Sequence, residues 1–528
     1  MYPFPVIDVA IVGGGIAGLA AAYELHRKGL SFLVLERAPR AGGVIFSEEI
    51  GGFTIDGGPD ALLIQKPEGI ALCQELGLGG RLVSTKPPRI AYIQRGGVLH
   101  PLPAASVLGI PTRVGPFVAT RLFTWAGKAR MGAELFVPRR ETDDDESIGA
   151  FMTRRFGREA ATYLAEPLLA GIHAGDVDRL SMKALFPRLF DAERKHGSLL
   201  RAFRPKPRTA TAESRAGTSE PGTANAEPRT ANAEPRTANP ESRIPNPESR
   251  TPGGEGAFKS LPGGLSELVQ ALVADLGDAN VRTRTCVAAI AGRGPFIIRT
   301  TSGEAIEARA VILATPAFVT AELFRERDAA IASRCTEIPY ASAATVALAF
   351  RRDAISRPLN GSGFVVPRVE KTGLLAGSWL SSKWPHRAPD DDHVLLRTFV
   401  GGARDPQALD RSDEELVSLS LGALQPIVGI RGQPLFTRVY RWERSNAQHE
   451  VGHLDRVAAI DRALSRHPGI FVTGSGFRGV GIPDCVADGR ATARQVAAWT
   501  QDRVENADRP RPEFAETRGT HGPPGAGG

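Results

Sequence analysis

Gly13, Gly15 and Gly18 stand in the spacing G-x-G-x-x-G, and Glu36 follows 18 residues after the last of them. A turn of this kind, between a strand and a helix, suits a dinucleotide. Gly13 permits the tight turn, Gly15 lets backbone approach a pyrophosphate, and Gly18 lets the helix pack on the strand. The pyrophosphate would meet the helix N-terminus at Ile16 and Ala17, where free N–H groups and the dipole favour an anion. Glu36 would accept bonds from the ribose hydroxyls of an adenosine.

Past Glu36 come Arg37, Arg40, Gly42 and Gly43, then Phe53-Thr54-Ile55-Asp56-Gly57-Gly58-Pro59. A nicotinamide dinucleotide has no need of these. Arg40 can reach a phosphate, and Gly42-Gly43 lets the chain run close to a bulky cofactor. Far along the chain, Thr473-Gly474 and Gly476-Phe477-Arg478-Gly479-Val480-Gly481-Ile482-Pro483-Asp484 again follow a strand and open a helix. A second helix N-terminus suits the pyrimidine end of a flavin, whose reduced form gains negative charge there. Two such turns imply one extended cofactor clasped from both ends of the chain.

The elements that must position these residues can be read from periodicity. Residues 6–12 read as a buried parallel strand, 16–28 as a helix and 31–36 as the next strand. Residues 90–102 read as a hairpin turning at Arg95-Gly96-Gly97. Residues 105–203 are mostly helical in pattern. Ordered sequence resumes at Phe258, with a helix at 265–276, a strand pair over 279–290 and a buried strand at 310–315. Residues 337–465 alternate as in a mixed sheet with helices. A last strand at 470–474 precedes a helix from about 484 to 499.

Glu recurs at 213, 220, 227, 234, 241, 248 and 255, a period of seven. The positions a coiled coil would need apolar are Ala, Thr, Asn and Pro, so 204–257 reads as a disordered low-complexity insertion. The 503–528 tail reads likewise. The fold class is therefore α/β: a Rossmann-like dinucleotide-binding domain (5–90 with 258–320 and 466–502), a mixed-sheet substrate-binding domain (91–104 with 321–465) and a helical cap or membrane-binding domain (105–203).

The chain has 528 residues, 42 % of them hydrophobic, and a formal charge of +7. No Lys/Arg block with interleaved aromatics argues for nucleic acid. A basic balance suits an anionic substrate or an anionic membrane surface. Cys73, Cys286, Cys335 and Cys485 form no CxxC pair and no metal-ligand spacing, which fits reduced thiols in a cytoplasm and no metal site. Val6 to Leu25 is apolar, but Asp8 and four glycines break it, so it reads as strand, turn and helix rather than a signal peptide.

These motifs resemble the FAD-containing amine oxidase superfamily, and within it the protoporphyrinogen and coproporphyrinogen oxidases. The likeness covers nearly the whole chain except 204–257 and the tail. It includes Glu166-Pro167-Leu168-Leu169-Ala170-Gly171-Ile172-His173-Ala174-Gly175-Asp176, Phe258 to Gly264, Thr398 to Gly402, and Gly479 to Cys485. The resemblance implies non-covalent FAD, held by the residues named above together with Val281. It also implies six-electron oxidation of a porphyrinogen in haem synthesis, with oxygen as acceptor. The porphyrin would pass to a chelatase. A hydride would leave a methylene bridge for the flavin, which demands positioning and exclusion of water rather than a catalytic dyad. No catalytic side chain is assigned, and His173 and Asp176 read as structural.

By the same resemblance, Arg89 pairs with a substrate propionate and Gly171 lets the macrocycle approach the backbone. The plainer readings are a surface arginine and a helix C-cap glycine. The stretch 105–140 carries Arg113, Arg121, Lys128, Arg130, Arg139 and Arg140 beside Phe117, Leu122, Phe123, Trp125 and Phe136. It could lie on an anionic bilayer or cap the substrate cavity. Asp143 to Glu146 reads as the charged start of a helix from 147. Two rivals share the fold: an amine or polyamine oxidase, against which no aromatic pair flanks the Gly474 loop, and a flavin-free lipid-group carrier.

Overall fold

The computed structural model describes residues 6–103, 106–107, 110–111, 114–203 and 256–507. The insertion up to residue 255 and the tail from 508 lie outside them. The chain opens with β1 (Ile7–Val12), α1 (Ile16–Arg27) and β2 (Phe32–Leu35). Further along come β3 (Ala305–Leu313), β4 (Tyr340–Arg351), β5 (His393–Gly401), β6 (Phe436–Ala447), β7 (Ile470–Val472) and α2 (Ile482–Ala507).

β1 pairs in parallel with β2 on one side and β3 on the other, Val12 standing opposite Leu35 and Leu313. β7 continues the parallel set beyond β3. Uninterrupted apolar runs are what strands covered on both faces require. One face carries α1, α2 and the helix Ser266–Leu276 around Leu19, Leu25, Leu272 and Val486. Along α1 the small residues Ala20, Ala21 and Ala22 are fully buried, which lets helix and strands approach closely.

The second sheet runs β6-β4-β5, then Leu374–Trp379, Gly363–Val365, Ala91–Arg95 and Val98–Pro101. Every pairing is antiparallel except that of Gly363–Val365 with Ala91–Arg95. The Ala91–Pro101 hairpin turns at Gly96 and Gly97, both at positive φ (59° and 74°) as a two-residue turn needs. Helix Asp413–Val428 covers this sheet and opens with a capping box between Ser412 and Glu415.

The third unit is helical and gathers around Phe151, Phe156, Leu164 and Met182. At its centre Arg155 and Glu134 are both fully buried and paired, with Ser198 completing the carboxylate. A pair this deep is tolerated only when its remaining donors and acceptors are met.

Several expectations need correction. Val281–Arg282 and Val287–Ala291 do not pair with each other: the first joins β2, the second Phe296–Thr300. Residues 105–203 begin with a small hairpin, Ser106–Val107 against Ile110–Pro111. The helix after the acidic run is capped by Ser147. Asp145 instead ties Ser181, and Glu146 pairs with Arg154, since those side chains reach across to neighbouring segments. Helices Ala317–Phe324, Ala329–Thr336 and His453–Leu464 bury Phe324, Ile331 and Ile460 against the first sheet, not the second. Helix α2 runs to Ala507, into the stretch read as tail.

Candidate functional site

Each of the three opening glycines meets a different constraint. Gly13 has φ +107°, and a Cβ there would lie 2.6 Å from the Ala314 carbonyl oxygen. A Cβ on Gly18 would collide with the Gly13 carbonyl. A Cβ on Gly15 would meet nothing within 4 Å. So Gly13 and Gly18 are small for packing, while Gly15 faces the open space a pyrophosphate needs at the start of α1. Ile16 and Ala17 form the first turn of α1 and are buried.

Glu36 ends β2. Its Oε2 accepts the Gly14 N–H and its Oε1 the Ala38 N–H, both at 2.7 Å. Each oxygen keeps a second lone pair for a hydroxyl donor. Val281 lies on the adjoining edge strand, and the Glu36 amide bonds the Arg282 carbonyl at 2.9 Å. Arg37 is exposed. The Gly42 amide donates to the Gly14 carbonyl at 2.7 Å, which brings Gly42 and Gly43 beside Gly15. Arg40 does not stand free: its guanidinium bonds the carbonyls of Gly43 (2.8 Å) and Ile45 (3.0 Å) and lies over Phe46. It braces the loop from within.

The Gly57-Gly58-Pro59 turn is held from the second sheet. Thr345 on β4 and Trp442 on β6 both donate to the Gly57 carbonyl, at 2.6 and 2.9 Å. Arg397 on β5 donates to the Asp56 and Gly58 carbonyls, at 2.5 and 2.8 Å, and to Asp60 at 2.9 Å. Asp60 also receives Lys383 (2.6 Å) and the Trp384 indole (2.7 Å). Burial alone would raise the Asp60 carboxyl, but Lys383 and Arg397 hold it well below the usual carboxylate range. Asp56 is bound by the buried Arg387, which also reaches the Leu261 and Pro262 carbonyls. The LPGG stretch is thereby pinned to the same turn.

The second glycine loop begins where β7 ends. Gly474 has φ +107°, its amide donates to Asp488 at 2.9 Å, and a Cβ there would lie 3.6 Å from that of Ala17. The structure thus brings the start of α1 and the loop before α2 side by side. Val480, Gly481 and Ile482 lead into α2, and Lys66 anchors Asp484 at 2.6 Å. Cys485 is buried, with its thiol on the Gly479 carbonyl and pushed up to about 12 by burial. It is inert packing.

Gly171 stands at the end of a π-helix, Ala161–Ala170, and opens a short 3-10 turn. Its φ is −61°, so it is not a left-handed C-cap. A Cβ there would meet only the Glu166 carbonyl, at 3.6 Å. The following residues dock on the second sheet. The Ala174 carbonyl accepts the Ala403 N–H at 2.7 Å, beside Gly402, and Arg404 binds Asp176 and Asp178. Arg89 lies at the start of the Ala91–Pro101 hairpin, half-buried, its Nε donating to the Thr85 carbonyl at 3.0 Å. Arg89 and Gly171 therefore enter from different units.

The three opening glycines, Glu36 and the two loops fit an extended dinucleotide with a second binding end. The flavin containing amine oxidoreductase family matches residues 16–497. The chain belongs to that family. FAD is its cofactor. It is 34 % identical over 499 residues to coproporphyrinogen III oxidase of Bacillus subtilis (strain 168), covering 93 % of this chain and 98 % of that one. It is 36 % identical over 491 residues to coproporphyrinogen III oxidase of Propionibacterium freudenreichii subsp. freudenreichii, covering 92 % and 90 %. A crystal structure of a putative protoporphyrinogen oxidase from Exiguobacterium sp. 255-15 superposes with TM-score 0.76 at 30 % identity, covering 95 % of this chain and 100 % of the other.

No motif or spacing in the sequence singles out Arg397, Asp60, Trp442, His449 or His453. Arg397 sits within the apolar run of β5, and a buried arginine inside a strand is the signal that could have found it. The Tyr440 ring packs on Gly57, beside the Trp442 indole that bonds its carbonyl. In the helical unit, Lys128 is buried and donates to the Val118 carbonyl at 2.7 Å, and Leu122 and Phe123 are core. The stretch 114–140 thus presents fewer free groups than its composition suggests. Among the described residues, no cluster of His, Cys, Asp or Glu could hold a metal, and no helix is long and apolar enough to cross a membrane.

Proposed function

We propose that this flavoprotein oxidises coproporphyrinogen III to coproporphyrin III in haem synthesis, with oxygen as acceptor. The observation that carries the substrate is near-full-length identity of 34–36 % to two coproporphyrinogen III oxidases, over nine-tenths of each chain. FAD would lie with its pyrophosphate on Gly13, Gly15, Ile16, Ala17 and Gly18, its ribose on Glu36 and its adenine end near Arg37 and Val281. Arg40, Gly42 and Gly43 would line its middle. Gly57, Gly58 and Pro59 would back it, and Gly474, Val480, Gly481 and Ile482 would meet its pyrimidine end. Bound there, the flavin supplies the hydride acceptor that a methylene bridge requires.

The protein's own residues hold and orient. Arg89 meets a propionate through its planar fork. Gly171, with open space where a Cβ would be, lets the macrocycle lie near the backbone. The N–H donors at the start of α2 favour the charge of a reduced flavin. The cap excludes water from the cleft.

The enzyme works in the cytoplasm and touches anionic membrane through the cap, where Val114, Trp125 and Phe136 are 77 %, 72 % and 84 % exposed. Exposed Arg121, Arg130 and Arg139 flank them. The porphyrin then passes to a chelatase. Purified protein assayed with coproporphyrinogen III and protoporphyrinogen IX, with and without air, tests the reading through porphyrin fluorescence. Peroxide release from polyamines with no porphyrin from either porphyrinogen would overturn it.

A further inference from the structure

Five residues, Gln448 to Gly452, join β6 to helix His453–Leu464, and His449 of this junction stacks on His453, the first residue of the helix. The His449 and His453 rings lie 3.7 Å apart between centroids, with planes 11° from parallel. His449 Nε2 is 2.8 Å from the Ser475 carbonyl oxygen, and His453 Nε2 is 2.9 Å from that of Phe477. A carbonyl can only accept, so each Nε2 must carry the proton. Both rings are then neutral when Nδ1 is bare. His453 is wholly buried and its Nδ1 has no partner. A second proton there would be a buried, unpaired cation. Burial accordingly pushes the His453 imidazole down to about 3, and that of His449 also below its ordinary value.

The carbonyls they hold belong to the loop between β7 and α2. Ser475 follows Gly474, and Phe477 precedes the Val480-Gly481 turn. The same junction grips the substrate side. The His449 carbonyl accepts the Ser181 N–H at 2.8 Å, and Gln448 Nε2 donates to the His173 carbonyl at 3.0 Å. Asp145 takes both the Ser181 hydroxyl (2.6 Å) and the Gly452 amide (3.2 Å). One short junction therefore touches the second glycine loop on one side and the segment that begins at Gly171 on the other.

We infer that His449 and His453 are positioning residues of this oxidase: as paired N–H donors they fix the Ser475 and Phe477 carbonyls, and so set the Gly474–Ile482 loop in register with the segment Gly171–Asp176. The inference rests on the reading that the Gly474–Ile482 loop holds the flavin.

Full-length protein stripped of flavin and titrated with FAD, followed by flavin fluorescence, tests it. His449→Leu and His453→Leu each remove one donor and keep the bulk. Each is expected to weaken FAD binding about tenfold, as loss of one buried hydrogen bond does. Each should also shift the visible flavin bands and lower kcat while KM moves little. His449→Gln, whose amide can reach the Ser475 carbonyl, should recover most of the affinity. Leucine variants with parental FAD affinity, flavin spectrum and kcat, however low their melting temperature, would reduce the pair to packing and overturn the inference. If the leucine variants do not fold, the parent labelled with 15N-histidine decides. Two buried Nε2–H tautomers whose signals move on FAD loading are expected, and signals that stay put overturn it. Gly474→Ala separates the two levels. If it too leaves FAD binding intact, the loop does not hold the flavin and the site reading falls with the inference. If it abolishes binding while the leucine variants do not weaken it, the inference alone fails.

Discussion

Gly489 of α2 lies directly on Ala17 of α1: a Cβ at 489 would collide with the Ala17 carbonyl. Ala17 is also the residue that faces Gly474. The two glycine turns, separated by most of the chain, are thus set against each other by one helix–helix contact. Gly489→Ala should force α2 away from α1. Overpacking of this kind costs about 1–3 kcal/mol, and FAD affinity should fall with it. Chemical denaturation together with FAD titration of the apoprotein reads both.

Glu36 uses its two oxygens to hold the Gly14 and Ala38 amides, and it is the expected ribose partner. Glu36→Gln keeps the shape, loses the charge and places an N–H against one of two amide donors. The expected result is FAD affinity lowered by about tenfold or more, since charge-assisted bonds are the stronger kind. Flavin fluorescence titration measures it. Parental affinity would remove Glu36 from the binding set.

Arg397 is 1 % exposed and spans the Asp56 and Gly58 carbonyls and the Asp60 carboxylate. Arg397→Leu leaves Asp60 with Lys383 and Trp384 but frees the turn that would back the flavin. Removing one partner of a buried ion pair costs about 3–5 kcal/mol. The urea midpoint of the holoprotein should drop accordingly, whereas Arg309→Leu, at an exposed pair with Asp8, should change it by under about 1 kcal/mol.

Acid should unfold the protein through its neutral histidines. Withdrawal from water, and next the adjacent His449, lower His173 to about 4; burial lowers His453 to about 3 and His449 also lies below its ordinary value. Lys66 beside His173 and Arg456 beside His453 disfavour the charged forms further, while Asp484 favours the charged forms of His173 and His449. Because the folded values lie below the unfolded one of about 6.5, the unfolded chain binds more protons under acid. The stability these groups contribute is present above about pH 6.5 and is lost progressively as pH falls below it. Melting temperature measured from pH 8 to 4 should slope down below that point. The slope should be shallower in His449→Gln, and an identical slope would contradict the assignment.

The glycine turns were legible because their signal is local. Tight turns and close approaches select glycine whatever lies around them, and the strand–turn–helix context fits within a few residues. Glu36 was legible for the same reason. Arg40 was legible as a cation near the loop but not as a brace, because nothing in the sequence shows that the Gly43 and Ile45 carbonyls turn toward it. The supports from the second sheet, Thr345, Arg397 and Trp442, lie hundreds of residues away from the Gly57 carbonyl or its turn, and no spacing rule links them. The π-helix before Gly171 escaped notice because periodicity does not distinguish it from an ordinary helix. Lys128 and Leu122 misled in a common way: composition reports charge and greasiness, while only packing decides which side faces water.

Because β7 and α2 stand far downstream of Gly13, Gly15 and Glu36, a chain under synthesis carries those residues long before the helix that lies against them. The first sheet also lacks β7 until then, and Ala17 has neither Gly474 nor Gly489 beside it. With Gly13 and Gly474 as the two ends of one flavin site, capture of the cofactor would wait for α2 to dock on α1 rather than for folding of the N-terminal turn.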